Sequence, residues 1–160
     1  MGDSGEEGGP NLRSGRYIIV ESKLACERCN KVTAVFAIAL PAGYESLVAG
    51  EGDDSDSWEA SPISAVLSYV EYLPETVASR ISALTSRFKR PDGDTGKTFW
   101  MNHCEHCGAA IEEEELHGDL DGPFGPLPPL GLEAIQLHPV REAFEGWAGG
   151  ESHDVKPLDS

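Results

Sequence analysis

Two tight cysteine turns constrain this chain more than anything else in it. They are Cys26-Glu27-Arg28-Cys29 and Cys104-Glu105-His106-Cys107, in a sequence of 160 residues with four cysteines in all. Two cysteines separated by two residues sit on one turn, so both sulfurs can face one point. Two such turns supply four thiolates, the set that completes a tetrahedral zinc site. Gly108, directly after the second turn, suits the left-handed backbone that such a turn needs. The pattern predicts one structural Zn2+ held by Cys26, Cys29, Cys104 and Cys107. Residues 30–103 must then fold so that the two turns meet. Loop closure costs only about 0.6 kcal/mol per doubling of length, against an apparent ~10–16 kcal/mol for structural zinc in finger peptides. A catalytic zinc needs an open coordination position, and four cysteines leave none. An iron–sulfur cluster also takes four thiolates, and spacing alone leaves that alternative open. A thioredoxin-like dithiol opens a helix within a βαβ unit, whereas both turns here follow strand-like segments.

The rest of the chain reads as one α+β domain. Residues 16–25 (RYIIVESKLA) and 31–40 (KVTAVFAIAL) have strand character. They form a hairpin with the first cysteine turn at its tip. In the second strand Val32, Ala34, Phe36, Ile38 and Leu40 share a face. Residues 41–62 read as a loop around the acidic tract EGDDSDSWE, which lacks the ligand spacing and glycine of a calcium-binding EF-hand. Residues 65–73 are expected as a strand, with Leu67, Tyr69 and Leu73 on one side. Residues 74–88 are expected as a helix starting at Pro74, with Val77, Ile81, Leu84 and Phe88 as its apolar stripe. Residues 97–102 (KTFWMN) lead into the second cysteine turn as a strand, with His103 and His106 exposed beside it. Leu132–Leu137 is expected as a last strand and Pro139–Trp147 as a short helix. The domain is thus placed at 15–147, between a disordered segment 1–14 and a flexible tail 148–160.

The segments CERCNKVT and TFWMNHCEHCGA resemble those of uncharacterised bacterial and phage-associated proteins that carry paired C-x-x-C knuckles and a W-x-N-H-C-x-x-C-G block. The resemblance covers the two knuckles. It implies a zinc-ribbon-like arrangement of antiparallel strands with an inserted amphipathic helix and long loops, and metal ligands at the four matching cysteines. It implies no activity.

Charge narrows the function. The chain holds 28 acidic and 12 basic residues, a net −16. Such a field repels nucleic-acid phosphates and anionic membranes. It fits instead a basic surface on another protein, and in a sharper form an inhibitor that mimics nucleic acid. The start, MGDSGEEGGP, has acid where an export signal has base, and no apolar run spans a bilayer. A cytoplasmic location is therefore expected, where cysteine pairs stay reduced and bind metal. No nucleophile elbow or zinc-protease motif appears. Gly96-Lys97-Thr98 matches the end of a phosphate loop, but Pro91 stands where that loop needs glycine. The expected function is a non-enzymatic zinc-binding interaction module. A thiol redox or metal-handling enzyme using the C-x-x-C pairs is the alternative.

Overall fold

A computed structural model describes residues 10–48, 50, 55–90, 99–112 and 136–152. Strand β1 is Leu12–Ser14, β2 Tyr17–Ala25, β3 Val32–Leu40, β4 Glu45–Val48, β5 Ser57–Ala60 and β6 Ala65–Tyr72. Helix α1 is Glu75–Leu84, followed by β7 Phe88–Lys89, β8 Met101–Asn102, β9 Gln136–Val140 and β10 Phe144–Ser152. Eight strands make one sheet in the order β5-β4-β1-β10-β6-β3-β2-β9, with every neighbouring pair antiparallel. Strands β7 and β8 pair separately. The class is α+β. Among the described residues no helix is long and apolar enough to cross a membrane.

The centre of the sheet is apolar on both faces. Phe36, Ile38 and Leu40 of β3 join Tyr17, Ile19, Tyr44 and Phe144 on one side, where Val77 and Ile81 of α1 also pack. Val35, Ala37 and Ala39 face the other way with Ile18, Val20, Val66 and Ile111. Strand β3 was expected to bury one face, and its alternate alanines and valine are what allow it to bury both. The helix is shorter than expected. Pro74 is its extended N-cap, Thr85 ends it, and Phe88 is buried from β7 rather than from the helix.

Other expectations need correction. The 41–62 loop contains a hairpin, β4 with β5, whose strands are too short and polar to show a periodicity. The acidic stretch 51–54, between these strands in sequence, lies outside the described residues. The expected helix over Pro139–Trp147 is replaced by the end of β9 and the start of β10. Here Gly146 packs so closely that a Cβ would meet the Tyr72 carbonyl oxygen at 2.7 Å and the Phe144 ring at 2.8 Å, so only glycine fits. Strand β10 continues through 148–152, where a flexible tail is expected, and β1 occupies 12–14, within the segment expected to be disordered. Leu12 is fully buried there. Residues 1–9 and 153–160 lie outside the described residues, as do 91–98 and 132–135, on which the phosphate-loop-like triplet and most of an expected strand fall.

One break in the sheet positions the functional site. Strand β6 pairs with β3 only at Ala39↔Val66 and Leu40↔Ala65. Tyr69 then takes a left-handed φ of 54°, an outlier for an aromatic residue, and β6 leaves its neighbour. Its side chain consequently points outward against Phe99, with ring centroids 4.9 Å apart, instead of sharing the inner side with Leu67 and Leu73. The gap this opens beside β3 is filled by residues 100–106.

Candidate metal centre

Each cysteine turn is built from the same local bonds. In the first, the Arg28 amide donates to Cys26 Sγ at 3.4 Å and the Asn30 amide to the Cys26 carbonyl at 2.7 Å. The Cys26 amide closes the turn on the Lys31 carbonyl at 2.9 Å. In the second, the His106 amide donates to Cys104 Sγ at 3.3 Å, Gly108 to the Cys104 carbonyl at 2.9 Å, and Cys104 to the Ala109 carbonyl at 2.9 Å. Four residues after the first cysteine of each turn the backbone is left-handed, with φ 64° at Asn30 and 79° at Gly108. Glycine reaches that region freely and asparagine is the side chain that tolerates it best. The glycine was expected from the sequence; its counterpart at Asn30 was not.

The two turns face each other. All four sulfurs lie within 4.8 Å of one another, with Cys26 Sγ 3.7 Å from Cys107 Sγ and Cys29 Sγ 3.6 Å from Cys104 Sγ. A disulfide holds its sulfurs about 2.05 Å apart. A tetrahedron of thiolates at the usual Zn–S distance of ~2.3 Å spaces them about 3.8 Å apart. The described geometry matches the second case, so the four residues fit one metal ion. In both turns the first cysteine is buried and the second more accessible, Cys107 most of all.

Without metal the thiols are electrostatically uneven. Burial acts to raise the pKa of Cys104, but amide hydrogen bonds from Cys107 and His106 and the shared hydrogens of Cys29 and Cys107 outweigh it and hold it down to about 6. At Cys29 a Lys31 amide bond acts to lower the pKa, yet burial and the hydrogens shared with the other three cysteines push it up to about 11. A thiolate on the second turn and a proton on the first result. This favours cation uptake.

The second turn is also fixed to the sheet, through side chains. Asn102, 1% exposed, accepts from the Phe36 amide at 2.7 Å through Oδ1 and donates to the Phe36 carbonyl at 2.8 Å through Nδ2. Glu105 Oε2 accepts from the Ala34 amide at 2.9 Å, and the Glu105 amide donates to Thr33 Oγ1 at 3.0 Å. His106 Nε2 lies 3.0 Å from the Val32 carbonyl oxygen. Val32, Ala34 and Phe36 alternate along β3, so these are the groups that a neighbouring strand would bind. On the far side the Trp100 amide donates to the Val70 carbonyl of β6 at 2.8 Å. The segment is a wedge between two strands that have parted.

Several histidine, tryptophan and arginine side chains outside the cysteine turns have partners within the fold. His103 is buried rather than exposed. Its Nδ1 lies 3.1 Å from both the Met101 and Arg87 carbonyl oxygens, and it does not join the group formed by the four cysteines. Trp58 turns back on its own sheet, where Arg13 stacks on the ring at 4.1 Å. Trp100 packs against Phe88 and the main core. His138 pairs with Glu21 at 2.9 Å across β9 and β2. In the basic group Arg87, Lys89 and Arg90, the first reaches the Glu105 carbonyl and the last the Glu71 carbonyl. His117 and His153 lie outside the described residues. Sequence reasoning missed Thr33, Asn102 and Glu105. The one available signal was the polar Asn102 placed between the apolar run Phe99-Trp100-Met101 and a cysteine turn.

Comparison with protein-family models, with curated proteins and with solved structures finds no match to this chain.

Proposed function

We propose that the chain is a non-enzymatic zinc-binding module with a zinc-ribbon-like centre, and that it acts by engaging another protein with a basic surface. The observation that carries this reading is the closed set of four sulfurs spaced for a tetrahedron, which leaves a bound zinc no position for substrate or water. The zinc then serves the fold, crosslinking a β-hairpin tip to the wedge in the sheet. Iron would fit the same ligands. Elemental analysis of the purified chain separates the two, with one zinc per chain expected.

The charge supports a basic partner and bears on how it would be held. The described residues include 12 of the 28 acidic residues and 10 of the 12 basic ones, so their charge is nearly balanced. The acidic excess belongs to the other segments, chiefly 1–9, 51–54 and 113–121. An inhibitor that mimics nucleic acid would draw its carboxylates from there and use the sheet as a support. Affinity capture at low and raised salt tests this. Retention of basic, nucleic-acid-handling proteins at low salt and their release as salt screens the contact are expected. Retention of none at low salt rejects the partner class.

A thiol redox reading has two observations in its favour, the exposed Cys107 and the lowered pKa of Cys104. Rapid alkylation of the zinc-loaded chain would support it, because thiolates held by structural zinc react slowly.

A further inference from the structure

We propose that Asn102 is a positioning residue for the metal centre, and that metal binding and closure of the β3 edge are a single event. The inference rests on the four-cysteine site described above. Strand β3 has a complete partner on one side, β2, with eight register pairs from Ile18↔Ala39 to Ala25↔Val32. On its other side β6 serves only Ala39 and Leu40. The intervening edge groups at Val32, Ala34 and Phe36 depend on His106, Glu105 and Asn102. Of these contacts only that of Asn102 is buried at both ends, and only it satisfies a donor and an acceptor of the same residue. A buried amide or carbonyl left without a partner is costly. Asn102 therefore defines where the second turn sits along β3, two residues before Cys104.

The same register places the sulfurs. Glu105 and His106 lie between Cys104 and Cys107, so the bonds that close the edge are threaded through the ligand turn itself. A chain in which the wedge left β3 would carry Cys104 and Cys107 away from Cys26 and Cys29. Conversely, a metal ion that joins the four sulfurs holds the wedge in place. Without metal the β3 edge opens more often at Val32, Ala34 and Phe36.

The full-length chain tests this with Zn2+ and Co2+ as probes. Zinc affinity is measured by chelator competition, the thiolate-to-cobalt absorption bands report the ligand set, and amide hydrogen exchange is followed at Ala34 and Phe36. Asn102→Ala is expected to weaken zinc by about 10–100-fold, the usual range for loss of a group that orients metal ligands, with the tetrathiolate cobalt spectrum retained. In the unaltered chain the Phe36 amide is expected to exchange at least about tenfold faster once metal is removed. A zinc affinity within about twofold of the parent, with only thermal stability lowered, would make Asn102 structural and overturn the proposal. Protection of Phe36 that survives metal removal would overturn it too, and that measurement needs no variant to fold. Absence of cobalt–thiolate bands in the unaltered chain would instead reject the four-cysteine site itself.

Discussion

In the first cysteine turn, Glu27 follows the leading cysteine and is exposed, with no hydrogen bond among the described residues. In the second, Glu105 holds the equivalent place and its carboxylate accepts from the β3 backbone. The two turns otherwise share their amide-to-sulfur bonds, their closing backbone bonds and a left-handed fourth position. Local chain geometry thus makes each half of the site. What differs is anchorage. The first turn is held by covalent continuity with β2 and β3, which flank it directly. The second arrives from a distant part of the chain and is placed by side chains. The lesson is that a ligand turn can be specified locally while its position relative to the other turn is specified by residues that touch no metal.

The largest expected effect treats the turns as equals. Cys26→Ser and Cys104→Ser should each weaken zinc by several orders of magnitude and by similar factors in chelator competition, since each removes one of four ligands from a site worth an apparent ~10–16 kcal/mol in comparable proteins. Unequal loss would mean that one turn binds metal alone. Lowering pH should come next. Cys29 is pushed up to about 11, so at neutral pH zinc must displace at least its proton, and affinity should fall by at least about tenfold per pH unit as pH drops from 8 to 6. Below about 6, Cys104 takes a proton too and the slope should steepen. A flat profile across pH 6–8 would remove the proposed division of proton and charge between the turns.

Smaller effects probe the difference in anchorage. Glu105→Ala should cost the zinc-loaded chain about 0.5–1.5 kcal/mol by removing the bond to the Ala34 amide, while Glu27→Ala should stay within about 0.5 kcal/mol in chemical denaturation. Equal costs would show that position in the turn, not contact with β3, decides. Last, Gly108→Ala should lose about 1–2 kcal/mol by forcing an alanine into left-handed backbone. Asn30→Gly should be nearly neutral, because both residues accept that conformation.

The meeting of the four cysteines was legible because two C-x-x-C turns carry their chemistry in their spacing. So were the hairpin of β2 and β3 and the apolar pair Val77 and Ile81, which rest on periodicities visible within a short window. The docking of Asn102 on Phe36 was not legible. It joins residues 66 apart through a side chain, and no period in the sequence encodes that. Strand β10 was misread for a related reason. Val140 and Phe144 stand four apart, a helical spacing, while the evidence for a strand lies in its partners β1 and β6, at Leu12↔Gly146 and Tyr72↔Trp147. The β4–β5 hairpin hid in a polar stretch whose strands are four residues each.

The separation of the two turns along the chain also has a consequence during synthesis. Cys29 leaves the ribosome 75 residues ahead of Cys104, an interval of roughly 4–15 s at the usual ~5–20 residues per second. Throughout it the nascent chain carries the two thiols of the first turn without those of the second. The closing strand of the sheet, β10, emerges later still. A newborn copy therefore passes through a stage in which its thiols can take metal from, or share it with, another nascent copy.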